Sequence, residues 1–81
     1  MNMLRVPVVN GKMGFTSPTS FYNAVRAGLL TKPVKIGERA VGLPDFEVEE
    51  ILKYRVAGKS DADIIALVNR LHAKRAELVV A

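Results

Sequence analysis

Thr19, Tyr22, Asn23 and Arg26 follow one another at helical spacing behind Ser17-Pro18, with Ser20 among them. Side chains of these types read DNA when a helix carries them into a major groove: arginine bonds guanine bidentately, asparagine bonds adenine, and hydroxyls hold phosphates. A second group, Lys32, Lys35 and Arg39, falls within eight residues that contain a single acid, Glu38. A cationic loop of this kind binds a phosphate backbone through counterion release, or places a cation in a narrowed minor groove. Each group alone has a plainer reading, as a solvated helix face or a soluble turn. A polar helix followed at once by a cationic hairpin is more specific than either. The ring of Tyr22 is expected to pack on the core, with its hydroxyl at the rim.

Other chemistries find little support. The chain has no cysteine and one histidine, His72, which leaves no ligand cluster for a metal. Ser17, Thr19 and Ser20 have no histidine or aspartate beside them in sequence to act as a base. Gly11 and Gly14 precede no lysine-serine pair at phosphate-loop spacing. An enzyme, a cofactor and a small-molecule substrate are therefore not expected. His72, alone on a helix, reads as a surface or packing residue.

The elements that must position the polar helix and the hairpin are marked by local signals. Ser17 is a preferred N-cap, Pro18 suits the first helical position, and Gly28 stands where a left-handed C-cap belongs. These signals predict a helix over 18–27, with Phe21, Val25 and Leu29 on its buried face beside Ala24. The pattern then changes to two extended segments, 33–36 and 39–42, on either side of Gly37-Glu38, which reads as a short hairpin. Pro44-Asp45 opens another helix, ended by Gly58, with Phe46, Val48, Ile51, Leu52 and Val56 as its apolar stripe. The acids crowded into its first turn, Asp45, Glu47, Glu49 and Glu50, are accounted for by the positive end of the helix dipole. Ser60 and Asp63 start a last helix reaching about Leu78, with Ile64, Leu67, Val68, Leu71 and Leu78 on one face and a gap at Lys74 and Arg75. The N-terminal residues 1–9 read as a short strand or an extended lead-in. Any helix over 8–13 is weakened by Asn10-Gly11 and depends on packing by Val8, Val9 and Met13.

Composition sets bounds on these readings. The chain has 81 residues, 49% apolar and 25% charged, which suits one small folded domain that buries roughly 60% of its unfolded surface. A net charge of +4 and a pI near 9.8 favour polyanionic partners, and the basic and acidic runs are segregated along the chain. The N-terminus lacks the pattern of a signal peptide, and no apolar stretch approaches the roughly 20 residues of a membrane span. A cytoplasmic protein is expected, associated with the nucleoid in a bacterial host.

Gly14, Ser17, Phe21 and Tyr22 match a pattern of a glycine, a serine-capped helix and an aromatic-tyrosine pair. Gly28, Leu29, Pro33, Lys35, Gly37, Arg39 and Val41 match a glycine, a hydrophobic residue, a proline and a basic wing, and Glu47-Val48 match the helix start that follows. On these motifs the run from Leu4 to Leu52 resembles the AlpA-type phage regulators, relatives of phage excisionases in the MerR-like winged-helix group. Members of that family commonly carry arginine after the cap serine and after the tyrosine, where this chain has Pro18 and Asn23.

The resemblance implies a mainly α fold with a small β-hairpin, a winged helix-turn-helix over 1–58; the additional C-terminal helix over 59–81 lies outside the shared core and is a packing or oligomerisation element. The resemblance also implies a sequence-specific double-stranded DNA-binding protein, a phage or prophage transcriptional regulator or excisionase. Helix 18–27 would enter the major groove, and wing 33–42 would lie on the backbone or in the minor groove. Thr19, Asn23 and Arg26 would face the bases, with Ser20 and Tyr22 in the same contact set, while Ser17, Lys32, Lys35 and Arg39 would hold phosphates. A homodimer or cooperative oligomer through the C-terminal helix would raise affinity. The alternative is a protein-interaction module of the same fold, docking a phage or host protein on the apolar face of 64–78 with little or no DNA binding.

Overall fold

The computed structural model describes residues 1–79. Their elements are β1 (Met3–Arg5), α1 (Val6–Met13), α2 (Pro18–Arg26), β2 (Val34–Gly37), β3 (Ala40–Pro44), α3 (Asp45–Val56) and α4 (Asp61–Glu77). The described residues are mainly helical, with one small antiparallel sheet in the order β1-β3-β2. None of their helices is long and apolar enough to cross a membrane.

Local hydrogen-bond chemistry accounts for the helix ends. The Ser20 and Asp63 amides donate to the Ser17 and Ser60 hydroxyls at 3.3 and 3.2 Å, each satisfying one of the amides a helix start leaves unpaired. After α2, Gly28 takes a φ of 80°. Its amide donates to Val25 O at 3.1 Å and the next amide, Leu29, to Ala24 O at 2.9 Å, the two bonds of a Schellman motif. Gly58 ends α3 with the same pair of bonds, to Arg55 O and Tyr54 O.

The N-terminal region is both strand and helix. β1 covers Met3–Arg5, and α1 begins at Val6 because Pro7 is tolerated in a first turn. Val9 is fully buried and Met13 packs against the core, as expected, whereas Val8 is exposed and Val6 packs against the core in its place. The hairpin turn is Glu38-Arg39, one residue later than expected. The ladder passes from Lys35↔Val41 to Gly37↔Ala40, so Ile36 is an extra, bulged residue that shifts the strand ends. Arg39 therefore sits at the hairpin tip, outside the strand.

One core joins the elements: Val9, Phe21, Leu30, Leu43, Val48 and Ile51 pack with Ile64, Leu67, Val68 and Leu71 of α4. Four of these ten residues come from α4, which thus completes the core formed by the elements before it. The apolar face of 64–78, for which packing on the domain and contact with another chain were both open, is used internally from Ile64 to Leu71. Leu78 alone of that stripe is exposed. In α3, Val56, expected in the buried stripe, is 87% exposed, while Glu47, not expected there, is fully buried.

Candidate nucleic-acid interface

The exposed residues of α2 are Pro18 at its start and then Thr19, Tyr22, Asn23 and Arg26, the last four of which the helical repeat places on one face. The opposite face is held down by Phe21, with Ala24 and Val25 beside it. Tyr22 departs from expectation: the residue is 41% exposed, and its ring meets that of Phe21 edge-on, with centroids 5.0 Å apart and planes at 78°. The neighbouring Phe21 takes the core position, so Tyr22 is turned out into a cleft. Ser17 and Ser20 lie in the first turn, where the Ser17 hydroxyl is engaged as the cap and lies 3.3 Å from the Ser20 hydroxyl. Arg26 donates through Nη2 to Asn23 Oδ1, which makes these two groove-facing candidates one linked unit.

The cleft beside Tyr22 is an open cavity of about 330 Å³ lined by three separate parts of the chain. α2 contributes Pro18 and Tyr22, the β2–β3 hairpin contributes Arg39 and Val41, and the β1–α1 junction contributes Arg5 and Pro7. The hairpin tip and the exposed side of α2 therefore open onto one surface. Lys35 is exposed directly across the ladder from the cleft residue Val41. Arg5, absent from the sequence-derived candidates, is carried there by the pairing of β1 with β3, which sets Arg5 opposite Gly42. Its only sequence signal was a lone arginine in an apolar run.

Electrostatics favour this side of the molecule for an anion. Residues 1–44 hold six basic residues and one acid, whereas 45–81 hold six basic residues and seven acids. Each ion pair among the described residues uses an acid of α3 or α4: Glu47, Glu49, Glu50 or Asp61. None of those pairs involves Arg5, Arg26, Lys35 or Arg39. Of these four, Arg5 and Arg39 line the cleft together, and two uncompensated cations in one cleft raise the local potential and attract anions.

Lys32 is not part of this cleft. Its backbone is gripped by α4: the Lys32 amide donates to His72 Nε2 at 3.0 Å, and its carbonyl accepts from Arg75 Nη2 at 2.9 Å. Arg75 also forms a fork on Glu47, through Nε to Oε2 at 2.8 Å and Nη2 to Oε1 at 2.6 Å. The stretch leading into β2 is thus tied to α3 and α4, which sets where the hairpin stands relative to α2. The acid crowding at the start of α3 accordingly has a second cause besides the dipole. Glu47 is four residues before Ile51 on the buried face, and Arg75 is four after Leu71, filling the gap in the α4 stripe.

His72 is a structural acceptor whose role requires a neutral ring. Burial, then the Arg75 guanidinium and more weakly Lys32, hold its pKa below the ordinary 6.5, with Glu47 acting in the opposite direction. Because the folded state binds the proton less readily than the unfolded chain, this contribution to stability is complete above about pH 6.5 and is lost as pH falls through the lowered folded value. Urea midpoints are expected to fall between about pH 7 and pH 5, and His72→Ala is expected to remove that part of the slope while lowering stability at the higher pH. An unchanged slope in the variant would assign the pH dependence to other groups.

Among the described residues no group of three or more His, Cys, Asp or Glu is placed to hold a metal ion. Comparison with protein-family models, with curated proteins and with solved structures finds no match to this chain.

Proposed function

We propose that this chain is a small winged helix-turn-helix protein that binds double-stranded DNA, of the kind found in AlpA-type phage or prophage regulators and excisionases. In this reading α1 and α2 are the helix-turn-helix, β2–β3 is the wing, and α2 enters the major groove. The observation that carries the reading is the shared cleft, where the exposed face of α2 and the hairpin tip bearing Arg39 open on one cation-rich surface. Nine residues of α2 span about 13 Å, enough to follow a major groove about 12 Å wide across a few base pairs. Thr19, Asn23 and Arg26 face the bases, and Lys35 and Arg39 hold the backbone beside them. Ser17 and Ser20 offer helix-start hydroxyls, and Lys32 stands further off as a source of field.

Fluorescence anisotropy with a duplex of mixed sequence, measured over a series of salt concentrations, tests this. Binding is expected to weaken steeply with salt, and Lys35→Ala and Arg39→Ala are each expected to flatten the log–log slope by about 1. Affinity indifferent to salt and to both substitutions would overturn the assignment of the hairpin as a wing. Of the stripe Ile64, Leu67, Val68, Leu71 and Leu78 only Leu78 is exposed, so the competing reading as a protein-docking face would have to use that end.

A further inference from the structure

The cleft between β1, α2 and the hairpin contains a feature that the assignment of α2 and wing does not use. Arg5 and Arg39, 34 residues apart in sequence, line the same cavity together with Tyr22. Neither guanidinium has an ion-pair or side-chain hydrogen-bond partner among the described residues, and no acid lines the cavity. Arg5 is also the N-cap residue of α1, yet makes no side-chain cap bond. A cation at the positive end of a helix is unfavourable by itself, and a second guanidinium in the same cleft adds repulsion. α3 and α4 have acids in their first turns, whereas α1 and α2, which start at this cleft, have none. Two unpaired guanidiniums in a cleft without an acid make it a favourable place for an anion.

We propose that Arg5 and Arg39 clamp a single phosphate group between them, with the Tyr22 hydroxyl as a third donor. This rests on the DNA-binding reading for its source, a backbone phosphate of the duplex at the edge of the groove that α2 occupies. Phosphate suits the site because a guanidinium fork bonds its oxygens bidentately, and two forks from different directions fit a tetrahedral anion better than a planar carboxylate. Arg5 thereby becomes a positioning contact: with Arg39 it fixes how far α2 enters the groove, and it does so without reading a base.

The test combines duplex anisotropy on Arg5→Ala, Arg39→Ala, the double variant and Arg5→Lys with an NMR titration of the protein by inorganic pyrophosphate. Each arginine is exposed, so folding is expected to survive, and thermal melts check it. Arg5→Ala is expected to weaken duplex binding roughly fivefold or more, the double variant to lose less than the product of the single losses, and Arg5→Lys to recover only part. Full-strength duplex binding by Arg5→Ala, or strictly multiplicative losses, would overturn the clamp and leave the DNA reading standing. If the unaltered protein bound no duplex, yet pyrophosphate shifted the amides of Tyr22 and Arg39 in it and not in Arg5→Ala, the DNA reading would fall and the anion site would stand for free phosphate. Absence of both responses overturns both.

Discussion

Glu47→Ala is expected to lower the unfolding free energy by about 3–5 kcal/mol, a large share of the roughly 4–12 kcal/mol that a domain of this length possesses. The Glu47 side chain is fully excluded from solvent, and that of Arg75 is only 23% exposed. Truncating the acid leaves a guanidinium held beside the Lys32 carbonyl with no counter-charge and too little water to replace it. Arg75→Ala is expected to be at least as damaging, since it strands a carboxylate with no exposure at all. The pair is nonetheless costly to desolvate, so removing both charges at similar volume, as in Glu47→Leu with Arg75→Met, is expected to recover most of the loss. Urea unfolding followed by circular dichroism measures all of these. A loss below about 1 kcal/mol in Glu47→Ala would mean that the pair is replaceable by solvent and does not anchor the root of the hairpin.

Gly42→Ala is the second severe change, and it reaches the cleft as well as stability. An added methyl at position 42 would stand 2.6 Å from Leu4 O and 3.2 Å from the Leu4 carbonyl carbon. Both are backbone atoms of β1, which cannot rotate away as a side-chain tip can. β1 must move off β3, at an expected cost of roughly 1–3 kcal/mol, and Arg5 moves with it because Arg5 is the ladder partner of Gly42. On the proposed DNA-binding function, duplex affinity is therefore expected to fall in the fraction that remains folded. Gly11→Ala is the matching control: its methyl meets nothing within 4 Å, and alanine in the interior of α1 is expected to stabilise by roughly 0.5–1 kcal/mol. Equal stability of the two variants would show that β1 tolerates displacement. Amide shifts of residues 3–5 report directly whether the strand has moved.

These two sites differ in how visible they are in sequence. The helix starts at Ser17 and Ser60 and the glycine-terminated ends at Gly28 and Gly58 were legible, since each depends on hydrogen bonds between residues a few positions apart. The exposed face of α2 was legible for the same reason, because the burial of Phe21 leaves Thr19, Asn23 and Arg26 outside. Tyr22 was misjudged because adjacent aromatics compete for one core position, and periodicity alone does not say which wins. The hairpin was located but its turn was placed one residue early, because a bulge at Ile36 leaves no mark in composition. Glu47, Arg75 and His72 were missed as a connected group. Their roles depend on partners 28 to 43 residues away, and only the break in the α4 stripe hinted at one of them.

Local chemistry in the chain determined where helices begin and end, which face of each is apolar, and that the cationic hairpin follows the polar helix. Those properties depend on torsional preference and on hydrogen bonds spanning one turn, so they are written in short stretches of residues. Tertiary structure alone decided that Arg5 joins Arg39 in one cleft, that Glu47 is buried against Arg75, and that α4 completes the core. Each of these depends on chain segments that meet only after the sheet pairs and the helices pack, when the exclusion of water turns distant side chains into neighbours.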